Sequence, residues 1–197
     1  MSTSLGANTE TTGKEGLIYF GSRTDFTGFD DGTRDMPRAL REAIATGNRV
    51  DLGNFSQAQL DAIGRSLVNA PLNLMQRDDS IDPDYNAEIA GGRKFDLGSG
   101  RLGVIGVAGI DSSWQTRVGE QQEGIVENGV ISPRTDYAFA STQNDVNVNA
   151  LLGLGMDWDQ HEVRWTNLYV HSTTKEARTR FGNDELAGAT VRDDYTE

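Results

Sequence analysis

Apolar residues recur at every second position through the second half of the chain. From Val146 the even positions hold Val146, Val148, Ala150, Leu152, Leu154, Met156 and Trp158, and the odd positions hold Asn147, Asn149, Leu151, Gly153, Gly155 and Asp157. Successive strand side chains point to opposite faces, so this alternation predicts one strand with an apolar face and a mostly polar or small face. It is longer than the five or six residues of an ordinary globular strand. It matches instead the roughly 9–11 residues that a tilted strand needs to cross a bilayer.

The same period appears upstream. Tyr85, Ala87, Ile89, Gly91, Phe95 and Leu97 share one face, interrupted by Arg93, with Asn86, Glu88, Lys94 and Asp96 opposite. A Gly-rich turn at Gly98–Gly100 leads into Leu102, Val104, Gly106, Ala108, Ile110 and, on the same face, Trp114. Two alternating runs joined by a few turn residues predict a hairpin. Beyond Trp158 a tight Asp157–His161 connection opens a further run through Val163, Trp165 and Tyr169. Short turns (98–101, 157–161) thus alternate with expected longer polar links (118–133 and 171–190), the asymmetry of outer-membrane barrels. Trp158, Trp165, Leu97, Leu102 and Phe95 flank the short turns, and Trp114, Tyr137 and Phe139 fall toward the other ends. That distribution is expected of interfacial girdles.

The first 84 residues read differently. Leu17–Gly21 is a short strand-like run, and Pro37–Ala45 and Ser56–Asn69 read as helices. Ser56 with Gln59 has capping-box spacing, Leu60, Ile63, Leu67 and Val68 share one face, and Pro71 follows. The expected organisation is therefore strand at 1–22, a folded loop excursion with two short helices at 23–84, and an antiparallel meander at 85–197. A structureless link of that length inside a compact domain is improbable on loop statistics, so the excursion should fold.

Composition narrows the function classes. Hydrophobic residues make up 36%, and the 23 glycines sit largely inside apolar runs such as LGVIGVAGI, where a soluble strand loses stability to backbone entropy. The formal net charge of −12 and pI near 4.5 argue against nucleic acid and against anionic lipid, both of which need a basic face. There is no cysteine, which excludes disulfides and thiol chemistry. His161 and His171 lack ligand spacing and read as turn or interface residues. Asp30, Asp31 and Asp35 with Arg34 depart from the EF-hand spacing, so a turn with carboxylates accepting backbone N–H groups around Gly28 and Gly32 is expected there. No phosphate loop is present, and no catalytic, cofactor or metal residue is assigned. Met1–Glu10 has neither a basic nor an apolar leader region, and no run approaches the roughly 18 apolar residues of a membrane-spanning helix.

The segment Asp25–Pro37, DFTGFDDGTRDMP, resembles a signature of TonB-dependent outer-membrane receptors just after their plug domain. GANTETTGKEGLIYFG before it, and GRKF, NVNALLGLGMDW and RWTNLYV after it, follow in the family's order, so the resemblance spans essentially the whole chain. It implies an up-and-down barrel of about 22 strands with a plugged lumen, of which this chain supplies five or six from the early part. It further implies outer-membrane lipid, TonB, and the missing plug and barrel strands as partners. The implied function is import of a scarce ligand such as an iron chelate, cobalamin or a glycan. Departures from the family are the lack of a plug, an energy-coupling box and a terminal strand ending in an aromatic. Two other expectations stay open. One is a soluble β-rich binding or adhesin domain; the other is a glycan hydrolase using a converging acid pair.

Overall fold

A computed structural model describes residues 1–127 and 129–197. The chain is mainly β, with antiparallel sheets and few helices. Strands β1 (Ser2–Gly6), β4 (Asp84–Asp96), β5 (Gly100–Glu127), β6 (Val130–Trp158), β7 (His161–Asp184) and β8 (Ala189–Thr196) form one sheet in the order β1-β4-β5-β6-β7-β8. Strands β2 (Gly16–Tyr19) and β3 (Met75–Asp78) form a separate two-stranded ribbon. The leading 22 residues therefore divide: β1 joins the main sheet, whereas β2 leaves it. Among the described residues β1 and β8 do not pair, and the sheet is open.

Both expected short turns are present. Asp96 pairs with Arg101 around a loop in which Leu97 N donates to Gly100 O at 2.8 Å, with Gly98 at φ 73°. Trp158 pairs with His161 around Asp159 and Gln160. Asp159, not a glycine, adopts a positive φ of 50°. The two expected polar links are corrected. Residues 118–127 and 130–133 belong to the paired strands β5 and β6, and β7 runs on to Asp184. A loop was expected because alternation disappears there. The alternation marks an apolar face, and a ribbon wetted on both faces has none to mark. A bulge between Glu123 and Gly124, opposite Pro133 and Thr135, shifts the register near the tip.

In the excursion, α1 (Arg38–Ala45) and α2 (Gln57–Leu67) match the two expected helices, and a short α3 (Ala70–Asn73) and β3 follow them. Ser56 caps α2 through the full capping box: Gln59 N donates to Ser56 Oγ and Ser56 N donates to Gln59 Oε1 at 2.9 Å. The apolar face of α2 is only partly used. Ile63 is buried together with Ala43 of α1, whereas Leu67 and Val68 remain exposed. The buried apolar residues across the fold are few, among them Tyr19, Ile81, Tyr137, Val146 and Ala177.

Candidate membrane-facing surface and the motif that caps it

The register places Val104, Ala108 and Ile110 of β5, Val148, Ala150, Leu152, Leu154, Met156 and Trp158 of β6, and Val163, Trp165 and Tyr169 of β7 on one face. Ala87, Ile89 and Phe95 of β4 extend it. Leu152 is 43% exposed and Trp165 48%, so the band lies open rather than in a core. From Val148 to Trp158 the strand rises roughly 33 Å at about 3.3 Å per residue. Phe95, Trp158 and Trp165 border it at the short-turn end, and Tyr85 and Trp114 lie beyond its other end on the same face. Tyr137 and Phe139, expected in that upper girdle, project instead from the opposite face and higher up, because the strand continues past where it was expected to end. Tyr137 donates there to Asp184 Oδ2 at 2.8 Å.

The apolar face of 146–158 is not open along its whole length. Val146 is 2% exposed, because Gly28 of the excursion sits against its side chain. Thr142 and Asn144, on the same face, are covered as well. The open band therefore starts at Val148, and the excursion caps the continuation of that face above it. The other face carries Asn147, Asn149, Gly153 and Asp157 as expected; Asn147 bridges Asp111 and Ser172.

The cap is fastened by polar contacts. Leu17 N donates to Thr142 Oγ1, Thr116 N to Thr11 Oγ1, both at 2.9 Å, and Thr196 Oγ1 to Leu72 O at 2.7 Å. At its centre stands the DFTGFDDGTRD segment. Arg34 grips Asp25 with two parallel hydrogen bonds of 2.7 and 2.9 Å, reaches Asp30 at 2.6 Å, and donates to the Tyr19 hydroxyl at 3.1 Å. Lys175 of β7 closes the cluster: its Nζ lies 2.9 Å from both Asp25 Oδ2 and Phe20 O, and 4.6 Å from the Tyr19 ring centroid. Gly21 takes φ 68°, and a Cβ there would stand 2.2 Å from Asp25 Oδ2, so only glycine lets the chain pass this carboxylate. Next along, Gly28 O accepts from His171 Nε2 at 2.6 Å and from Thr173 Oγ1 at 2.7 Å, while Phe29 stacks on the His171 ring at 4.4 Å.

Burial pushes the Asp25 carboxyl up. The hydrogen bonds and positive charges of Arg34 and Lys175 outweigh that push and hold it below its ordinary range. Arg34 is held still more firmly protonated, first by its hydrogen bonds to Asp25, against the opposing pull of burial. Asp30 and Asp31 make the expected turn: Asp30 Oδ1 accepts from Gly32 N and Arg34 N, and Asp31 Oδ1 from Thr33 N. His171 is an interface residue and His161 a hairpin residue, as their spacing indicated. Among the described residues no three His, Cys, Asp or Glu side chains gather to hold one metal ion. Asp25 and Asp30 converge on one guanidinium and are both committed to Arg34. The Lys175 contact is what sequence reasoning missed, since it joins remote segments without any periodic signal.

No protein-family model, curated protein or solved structure matches the chain.

Proposed function

We propose that this chain is part of a transmembrane β-barrel of the outer membrane. In this reading the band from Val148 to Trp158 and its neighbours meets lipid, and the parent is a TonB-dependent receptor importing a scarce ligand. The observation that carries the reading is the open apolar band bordered by aromatics at both ends, long enough for a tilted bilayer crossing, on strands that run well beyond it. A soluble monomer rarely leaves so large a contiguous apolar face uncovered. The open sheet edges fit a barrel whose remaining strands lie outside this sequence, since unpaired edges are not tolerated in lipid. The family assignment rests on the resemblance around Asp25–Pro37; lipid supports the fold and TonB supplies the energy for import.

Charge scanning of the two faces in bilayers tests the membrane reading. Ala150→Arg or Leu152→Arg should cost about 2–4 kcal/mol of folding stability, and Asn149→Arg much less. Equal costs on the two faces would sink the topology.

A further inference from the structure

A cavity of about 410 Å³ opens between the excursion and the sheet, just above the band. It lies within the size range of small-ligand sites. Trp114, Tyr85 and Phe26 supply aromatic surface, and Asn144, Asp82 and Lys175 supply polar groups. Asn144 is only 5% exposed, and its amide nitrogen donates to Ser112 Oγ at 2.9 Å and Ser113 O at 3.2 Å. Its Oδ1 accepts no hydrogen bond among the described residues. Among the described residues no fully buried side-chain polar atom lacks a partner, so that oxygen is open to solvent on a residue that lines this cavity and a second one beside it. A buried amide fixed at one end and free at the other is a directed acceptor. The Trp114 indole N–H is likewise without a protein partner among the described residues.

Charge selects the ligand class. Of the cavity's cations, Lys175 is held by Asp25 and Arg23 lies 3.8 Å from Asp31, whereas Asp82 has no ion-pair partner among the described residues. An anion would meet an uncompensated carboxylate. A neutral polyhydroxylic ring instead offers hydroxyls to Asp82 and Asn144 Oδ1 and its C–H face to Trp114. We infer that this cavity is a saccharide-binding site. Its place at the upper rim of the band means that the sugar is either free or the headgroup of an outer-leaflet glycolipid; the second source rests on the membrane reading above.

The test is saturation-transfer NMR on the whole chain folded in lauryldimethylamine oxide, a detergent without sugar. The probes are glucose, galactose, N-acetylglucosamine and lactose, and separately phosphatidylcholine vesicles carrying monogalactosyl diacylglycerol. Transfer to the ring protons of a probe is expected. Asp82→Ala, at an exposed position, should weaken binding about tenfold, the worth of one hydrogen bond to a charged acceptor. Trp114→Leu should reduce it as well. Transfer from free sugars marks a soluble saccharide, and transfer confined to the galactolipid vesicles marks a lipid-borne one. No transfer from any probe, or variants that bind like the parent, overturns the inference. Charge scanning of the band involves no sugar, so the two readings fail separately.

Discussion

At Asp25, burial and charge pull in opposite directions, and charge wins. Its folded-state pKa is depressed, so the cluster stabilises the cap above the unfolded carboxylate value, near 3.9, and that stability is lost as pH falls through the lower folded value. The hydrogen bonds and charge of Arg34 depress Asp30 too, against a desolvation push upward, so it adds to the same window. Acid titration followed by hydrogen exchange of residues 7–83 should show the excursion loosening below about pH 4, while the paired centres of β5 and β6 stay protected. Asp25→Asn should leave Lys175 and Arg34 short of a counter-charge and loosen the cap already at neutral pH. Backbone crowding sets a second residue-scale expectation. A Cβ at Gly182 would stand 1.9 Å from Asp136 O, so Gly182→Ala should cost about 1–3 kcal/mol and expose the upper β6–β7 ladder to exchange. Gly106→Ala, with open space around it, should be tolerated.

Among the elements, β6 shows what sequence patterning can and cannot convey. From Val148 to Trp158 every second side chain is apolar and lies on one open face, and the alternation is legible because that face differs from the other. From Val118 to Val126 and from Val130 to Pro133 the ribbon is mostly wetted on both faces, so no alternation distinguishes it from a loop. Val146 belongs to the alternating run yet is buried under Gly28, because the partner that covers it arrives from far along the chain. The α2 capping box was legible because its signal is local, and the Asp25–Lys175 pair was not, because its signal is tertiary. Local chemistry also makes the β6–β7 turn adjustable. Asp159 adopts a positive φ at the first position of a two-residue loop, where glycine carries no steric cost. Asp159→Gly should therefore hold the hairpin as well as or better than the parent, with a gain below about 1 kcal/mol readable as a shift in urea midpoint.

For the molecule as a whole, the exposed band and the open sheet edges should govern solution behaviour more than the net charge of −12. Without detergent the chain should associate, and in detergent micelles it should become monodisperse; size-exclusion chromatography with light scattering reads both. A monodisperse, cooperatively melting protein in plain buffer would favour the soluble adhesin-like alternative. From Val148 to Val130 the ribbon extends roughly 60 Å along the strand at about 3.3 Å per residue, ending at a tip around Gly129. On a cell surface, a rod of that length would carry its tip clear of the bilayer and within reach of antibodies or phage. The tip would then be the natural point to insert an epitope tag, and the first part of the molecule that an immune system could learn to recognise.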